Sequence, residues 1–302
     1  MKPINTLSFK DKINAYIKHP TSGLLALAVM ICAIATFAVL IFLIAYILIN
    51  GVPYLTPSLF ALEYTTENVS MLPSIINTVI MTLVALVISV PLGIFTAIYL
   101  VEYAKKGNKL ISIIGMTAET LSGIPSIVYG LFGMLFFVTT LKWGVSILAG
   151  AFTMSIMILP LIMRTTQEAL LSVSDSYREA SFGLGAGKLR TIFTIVLPAA
   201  IPGVLAGIIL AIGRIVGETA ALIYTAGSVA EIPRNLMSSG RTLAVHMYAL
   251  SSEGLYTNQA YATAVVLLVL VLLINTLSAF LANKLKVGGQ AVLGRQCHKS
   301  TP

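Results

Sequence analysis

The chain has 302 residues, of which 57% are hydrophobic and only 10% are charged. Because soluble proteins average about 25% charged residues, this composition and a mean hydropathy of +0.94 exclude a water-soluble domain. The net charge of +8 does not indicate a nucleic-acid-binding protein, since no basic surface with interleaved aromatic residues is visible. The two cysteines and three isolated histidines offer no spacing for a disulfide framework or a metal site. We therefore expect an all-α, polytopic membrane protein without a metal or cofactor.

Six apolar runs are long enough to cross the bilayer as helices. They lie at about residues 22–50, 74–101, 111–139, 144–164, 193–224 and 258–284. The first run is too long for the core of a signal peptide, so we interpret it as a retained first helix. The sequence therefore predicts a short N-terminal segment at 1–21, six spans, and a C-terminal tail at 285–302.

The distribution of Lys and Arg predicts the orientation of these spans, because cytoplasmic loops of membrane proteins carry an excess of both residues. With a cytoplasmic N-terminus, the outside loops hold only Lys142, Arg234 and Arg241, and Arg214 lies inside the fifth span. All other basic residues then fall on the cytoplasmic side. We expect both termini to be cytoplasmic, and the loops at 51–73 and 225–257 to be outside.

Glycine and proline interrupt two of the spans. In the third span, Gly123-Ile-Pro-Ser126 and the glycines that follow predict a helix that is bent or packed closely against a neighbour. We interpret Glu119, in the same span, as an interfacial residue without an assigned role. In the fifth span, pairs of glycines four residues apart predict close contact with another helix. These pairs are Gly203 with Gly207 and Gly213 with Gly217.

The loop at 165–192, between the fourth and fifth spans, is more polar than the rest of the chain. Ser176 and Glu179 have the spacing of a capping box, which predicts that a short helix begins at Ser176. Gly183, Gly185 and Gly187 predict a turn that ends this helix. Physical reasoning alone supports two interpretations equally, a helix–turn unit at the cytoplasmic surface and a solvated connector with incidental glycines.

The glycines at 183–187 also resemble a phosphate-binding loop, but two positions contradict that function. The P-loop pattern needs glycine at position 182 and Ser or Thr at position 189, whereas Phe182 and Leu189 occupy them. No predicted strand precedes the segment. We expect that this chain neither binds nor hydrolyses ATP, and we assign it no catalytic residue.

Arg214 and Glu218 are charged residues inside the fifth span, four residues apart and therefore on one face of a continuous helix. Each costs about 2.5–3.5 kcal/mol at the centre of a membrane helix. One interpretation is an ion pair that neutralises both charges and fixes helix packing. The other is an anion site, because a guanidinium fork suits a tetrahedral oxyanion. A carboxylate would then accept the proton that phosphate, but not sulfate, still carries at neutral pH.

The polar loop resembles the signature of a transporter family. Glu179-Ala180-Ser181, followed by Gly185 and by Ile195-Val-Leu197-Pro198, matches the EAA signature of the permease subunits of binding-protein-dependent ABC importers. Ser181 in place of the second alanine is the only departure. In that family the loop docks on a cytoplasmic ATPase and passes its closure to the membrane helices.

This resemblance implies a type I, MetI-like permease domain at 70–284, preceded by a first transmembrane helix at 22–50, in the inner membrane of a bacterium. The loop at 165–192 would be its cytoplasmic coupling loop. The residues that couple it to the ATPase would be Glu179, Ala180, Gly185, Leu197 and Pro198.

Further segments resemble the PstA family of phosphate importer permeases, and they lie at 123–133, 164–171 and 213–227. This resemblance implies alternating access for inorganic phosphate, with Arg214, Glu218 and Thr219 on the substrate path. It also implies a second, PstC-type permease, two copies of an ATPase that hydrolyse the ATP, and an extracytoplasmic phosphate-binding protein. Another oxyanion such as sulfate or a phosphonate stays an alternative substrate. A secondary transporter or channel that uses Arg214 and Glu218 as an ion relay is the alternative of a different class.

Overall fold

A computed structural model describes residues 20–104 and 109–298 of the chain. Residues 1–19, 105–108 and 299–302 lie outside the described part, and with them lie most of the predicted N-terminal segment and the end of the predicted tail. Every regular element in the described part is helical. The chain thus has the all-α architecture that the composition predicts.

The helices, in chain order, are α1 (Pro20–Gly51), α2 (Leu72–Ile98), α3 (Lys109–Ser122), α4 (Ser126–Gly133), α5 (Ile147–Leu171), α6 (Asp175–Gly183), α7 (Lys188–Thr191), α8 (Leu197–Val216), α9 (Ala220–Thr225), α10 (Leu243–Glu253) and α11 (Thr257–His298). Wider π turns extend α2 over Tyr99–Tyr103, extend α4 over Met134–Thr140, and join α7 to α8 over Ile192–Val196. Two short 3-10 turns, Val52–Tyr54 and Pro57–Phe60, follow α1.

Five of these continuous helical segments are long and apolar enough to cross a membrane, and the third predicted span is a broken pair. The pieces Ile113–Ser122 and Ser126–Thr140 meet at an angle of 102°. The prediction of a bend at 123–126 is confirmed, and the predicted span at 111–139 consists of two helices rather than one. The residue before a proline disfavours the α conformation, so the helix is interrupted before Pro125. The Tyr129 hydroxyl donates to the carbonyl of Leu121 at 2.6 Å and holds the bent pieces together.

The fifth predicted span is also interrupted. Helix α8 ends at Val216 rather than continuing to residue 224, and the chain leaves the helical conformation at 217–219 before α9 begins. The Glu218 carboxylate accepts a hydrogen bond from the amide of Ala221 at 3.1 Å. Glu218 therefore satisfies a free amide in the first turn of α9, whose N-cap is Thr219.

Helix α5 lies at the centre of the bundle. It packs along α2 on one side and along α8 on the other, while α11 packs against α8 and α1 against α11. The central core is built from large apolar side chains, among them Met81, Met154, Ile158, Ile215 and Leu222. A second core at the opposite end from the long loops includes Leu100, Leu170, Val173, Ile192 and Val196. Most side chains of α1 are exposed, as expected for a helix that faces lipid.

Close approach between α5 and α8 depends on two of the predicted glycines. A Cβ at Gly203 would lie 2.6 Å from Cβ of Ala169, and one at Gly207 would overlap Oγ1 of Thr165. The predicted contact of this pair with another helix is thus confirmed. For the second pair, Gly213 with Gly217, an added Cβ would meet no other helix within 4 Å among the described residues.

The loops gather at two opposite ends of the bundle. At one end, the amide of Leu148 donates to the carbonyl of Leu236 at 2.8 Å, and the Tyr256 hydroxyl donates to the carbonyl of Thr66 at 3.0 Å. The segments at 52–71, 141–146 and 226–256 therefore share this end. The π turn after α2 and the segment at 172–191 lie at the other end. This is expected for a chain whose successive helices cross the membrane in opposite directions.

Candidate functional site

The polar loop folds as two short helices joined by a tight turn. Helix α6 begins at Asp175, and its N-cap is Ser174 rather than Ser176. The predicted capping box is wrong, because the Ser174 and Ser176 hydroxyls bond to each other at 2.8 Å and neither caps a backbone amide. The helix–turn unit itself is confirmed, so the loop is not merely a solvated connector with incidental glycines.

Gly185 makes the turn after α6. Its φ of +82° lies in the left-handed region, which costs little only for glycine. The amide of Ala186 donates to the carbonyl of Ser181 at 3.1 Å, and the amide of Gly185 donates to that of Phe182 at 2.9 Å. These two bonds form a Schellman motif, so this glycine has a structural reason at the position that the EAA signature requires.

Ser181, the one departure from the signature, has a partner that the sequence did not indicate. Its side chain is buried, and its hydroxyl forms a 2.8 Å hydrogen bond with the hydroxyl of Thr191. Thr191 ends α7, so this bond fastens α6 to α7 across the turn. A buried hydroxyl costs free energy unless it is bonded, and Thr191 satisfies that requirement.

The outer face of the loop is open. Glu179, Ala180 and Gly185 are exposed on it. Four large apolar side chains on the same two helices and their turn are exposed as well, namely Tyr177, Phe182, Leu184 and Leu189, with Leu184 at 89%. Exposed apolar groups of this size mark surfaces for contact with a protein or with the membrane. Leu197 and Pro198 lie elsewhere, half-buried in the first turn of α8.

Arg214 lies in the last turn of α8, half-buried. It lines two cavities. One, of about 400 Å³, lies between α3, α5 and α8, and the other, of about 530 Å³, lies between α5, α8 and α11. No carboxylate in the described part of the chain forms a salt bridge with Arg214. The interpretation of Arg214 and Glu218 as a neutralising ion pair is therefore wrong.

The other two residues predicted for the substrate path lie beyond the end of α8. Glu218 is half-buried in the break, with one carboxylate oxygen bonded to the amide of Ala221. Thr219 lines a separate cavity of about 360 Å³ between α1, α10 and α11. The structure therefore places Arg214 and Thr219 on different cavities, with Glu218 between them along the chain.

Polar residues without a role assigned from the sequence share the cavities of Arg214. Glu119, Arg164 and Gln167 line the smaller of the two, and Asn275 lines the larger. Glu119 was visible as a charge within an apolar run, which is a signal for a cavity or pathway. Gln167 and Asn275 are uncharged polar residues and gave no such signal.

Residues 89–287 match the model of a protein family described as "binding-protein-dependent transport system inner membrane component". This range includes the EAA-like loop, α8 and both cavities of Arg214. The chain belongs to this family of ABC importer permeases. It is accordingly a multi-pass protein of the inner membrane, and its role is transport.

Curated relatives of this permease carry two kinds of name. A probable ABC transporter permease protein YqgI of Bacillus subtilis is 33% identical over 274 residues, covering 83% of this chain and 91% of its own. A phosphate transport system permease protein PstA homolog of Mycoplasma pneumoniae is 33% identical over 261 residues, covering 83% of this chain but 39% of its own. PstA 1 of Mycobacterium tuberculosis is 41% identical over 151 residues, half of this chain and 49% of its own.

Solved structures show that this permease has the MetI-like fold. A chain of the bacterial alginate ABC transporter, in complex with a periplasmic protein bound to an alginate pentasaccharide, superposes with a TM-score of 0.66 over 90% of this chain and 98% of its own, at 14% identity. A chain of the inward-facing MetNI methionine ABC transporter gives 0.55 over 70% and 93%, at 19% identity. At these identities the likeness concerns the fold alone.

Proposed function

We propose that this permease imports inorganic phosphate by alternating access, driven by ATP hydrolysis on a separate ATPase. The observation that carries the proposal is Arg214, a guanidinium that lines two cavities near the end of α8. It has no salt-bridge partner among the described residues. A charge in the membrane layer is retained where it serves a pathway, and the guanidinium fork binds tetrahedral oxyanions in a bidentate manner.

Phosphate is favoured over other oxyanions by two supports. Relatives that cover most of this chain are named phosphate transport permeases. Glu218 adds a chemical reason, because only one of its oxygens is used to cap α9. The other oxygen can accept the proton of monohydrogen phosphate, whereas sulfate has no proton to donate and would be repelled.

The EAA-like loop supports coupling to an ATPase. Glu179 and Ala180 lie exposed beside uncovered apolar side chains, and Gly185 holds the turn between the two short helices. Such a face fits a groove on a cytoplasmic partner. In this proposal Leu197 and Pro198 receive the movement, since they begin α8, the helix that carries Arg214.

The complete importer would contain this chain, a PstC-type second permease, two ATPase copies and an extracytoplasmic phosphate-binding protein. Both termini of this chain would be cytoplasmic. Binding of the loaded protein outside and closure of the ATPases would open the cavities outward, and hydrolysis would return them to the cytoplasm.

The assignment is tested by uptake of radiolabelled phosphate into vesicles that contain the complete complex. We expect Arg214→Ala to reduce the uptake rate by about tenfold or more, since a hydrogen bond to a charged group contributes about 1.5–3 kcal/mol. Arg214→Lys is the matched variant, which keeps the charge, loses the fork, and should be intermediate. Glu218→Gln should raise the inhibition of phosphate uptake by sulfate. Normal uptake in Arg214→Ala together with unchanged sulfate inhibition in Glu218→Gln, with assembly verified, contradicts the assignment.

The substrate class is tested in the unmodified complex by competition. Excess sulfate or a phosphonate should leave phosphate uptake unchanged. If sulfate competes as strongly as unlabelled phosphate, the substrate is a different oxyanion. If the chain alone transports phosphate without an ATPase, it is a secondary transporter instead.

A further inference from the structure

Arg178 connects the EAA-like loop to two other elements through all its donor groups. It lies on α6, and its side chain is only 13% exposed. Its Nε and Nη2 donate to Oε1 of Glu102 at 3.0 and 2.8 Å. Nη2 also donates to the carbonyl of Leu170, and Nη1 donates to the carbonyl of Val173 and to the Asp175 carboxylate, at 2.8–3.0 Å. One guanidinium thus joins α6 to the end of α5 and to the π turn that ends α2.

A second contact lies directly beside the first. Nζ of Lys188, the first residue of α7, lies 4.9 Å from the centre of the Tyr103 ring, within the range of a cation–π interaction. Glu102 and Tyr103 are consecutive residues of the π turn at Tyr99–Tyr103. Both short helices of the loop are therefore held by adjacent residues of the same turn.

These contacts matter because the loop is covalently continuous only with α5 and α8. Helix α2 is distant in sequence, since Glu102 and Arg178 are 76 residues apart. Apolar packing supports the same junction, where Leu100 belongs to one core with Val173 and Ile192. A displacement of α6 can reach α2 only through this junction or through the helices between them.

The Glu102–Arg178 pair is the rigid part of the junction. The Glu102 side chain is 8% exposed, so separating the pair would leave a charge buried without a partner. The pair Arg164–Glu168, four residues apart on α5, is different, because both side chains are more than 60% exposed. Exposed pairs contribute little and open easily.

The far end of α2 is bonded to the opposite loops. Nδ2 of Asn77 donates to the carbonyls of Glu231 and Arg241 at 3.0 and 3.2 Å, and Oγ1 of Thr78 accepts from the amide of Leu243 at 2.8 Å. Helix α2 therefore runs from the EAA-like loop at one end to the segment at 226–243 at the other.

We infer that Glu102 and Arg178 are positioning residues that transmit movement of the coupling loop to α2, and through α2 to the segment at 226–243. The inference rests on the proposed coupling role of the loop. It adds a third moving helix, one that the loop does not continue into. Neither residue touches substrate or ATP in this scheme.

The test is the ratio of phosphate taken up to ATP hydrolysed, measured in vesicles that contain the complete complex. Glu102→Gln keeps the shape of the side chain but removes its charge, and Arg178→Lys keeps the charge but loses the fork. We expect both variants to bind the ATPase, because Glu179 and Ala180 are unchanged. The ratio should fall about 2- to 30-fold, whereas the matched control Glu168→Gln, in the exposed pair, should leave it unchanged.

Each outcome decides one point. A ratio equal to that of the unmodified complex in both variants overturns the inference, whatever happens to the amount of complex. Both quantities are measured on complexes that co-purify with the ATPase, so that misfolded permease does not lower the ratio. Glu102→Asp, which retains the charge on a shorter side chain, should give an intermediate ratio if Glu102→Gln assembles poorly. If the unmodified chain binds no ATPase, the proposed function fails and the inference fails with it.

Discussion

His246, on α10, is an imidazole with no exposed surface beside a positive charge. Its ring meets the edge of the Tyr64 ring at 6.2 Å between centres, and the Arg241 guanidinium lies 4.6 Å from the centre of the same Tyr64 ring. Burial, and then repulsion by Arg241, lower the pKa of His246 from 6.5 to about 3. The folded protein therefore holds this histidine neutral.

Acid should destabilise the protein through His246. Below pH 6.5 the unfolded chain binds a proton that the folded chain does not bind until about pH 3, so the free energy of unfolding falls as the pH falls. At pH 5 the loss should be about 2 kcal/mol. Thermal unfolding of the purified protein in detergent at pH 7.5 and pH 5 measures it. His246→Phe places an apolar ring at this position and should show a smaller difference between the unfolding temperatures at pH 7.5 and pH 5. A difference equal to that of the unmodified protein contradicts the explanation.

At the scale of the elements, α8 shows that identical glycine spacings can have different neighbours. Gly203 and Gly207 face α5, whereas a Cβ added at Gly213 or Gly217 would meet no other helix in the described part of the chain. The first pair sets the distance between two helices. The second pair leaves the surface beside Arg214 open, where Gly213 lines a cavity.

Alanine at the two kinds of position should act in opposite directions. A Cβ at residue 207 would overlap Thr165, so Gly207→Ala should destabilise the purified permease by about 1–3 kcal/mol, the usual cost of overpacking. Gly213→Ala adds a methyl group into open space and should be neutral or slightly stabilising, because alanine favours the helix. The unfolding temperatures of the two variants in detergent test this prediction. Equal shifts would show that the close approach of α8 to α5 does not contribute to stability.

At the scale of the whole molecule, the loops sort into two sets at opposite ends of one bundle. The first set holds the segments at 52–71, 141–146 and 226–256, which bond to each other and to the start of α2. The second set holds the EAA-like loop and the end of α2. When all Lys and Arg of the sequence are assigned by the predicted spans, their excess lies on the side of the second set, so we expect this set to face the cytoplasm.

This orientation can be tested with reporter fusions. A fluorescent protein that folds only in the cytoplasm should be active at the C-terminus and inactive when inserted within residues 226–242. A phosphatase that folds only outside should show the opposite pattern. Fluorescence of the reporter at 226–242 would show that the topology is the reverse of the predicted one. It would also contradict the proposed docking of the EAA-like loop on a cytoplasmic ATPase.

Much of the architecture could be predicted from the local composition of the sequence. Long apolar runs predicted the helices, because backbone groups in lipid must be satisfied within the segment. The prolines and glycines at 123–126 predicted a bend, and the spacing from Glu179 to Pro198 predicted the helix–turn unit. The precise start of α6 was not predictable, since Ser174 and Ser176 are equally good caps in sequence and only the backbone conformation chooses between them.

The sequence alone determined that this protein is a helical membrane transporter of the ABC importer class. Apolar runs and the fixed spacing of the EAA-like motif are both patterns of residues close together along the chain, so they can be recognised without the fold. Tertiary structure decided which charges meet. Arg214 and Glu218 have the spacing of an ion pair but do not form one, because the helix breaks between them. Arg178 instead pairs with Glu102, 76 residues away. Coulombic attraction and burial act through space, so only the folded chain shows which charges stay paired and which face a cavity.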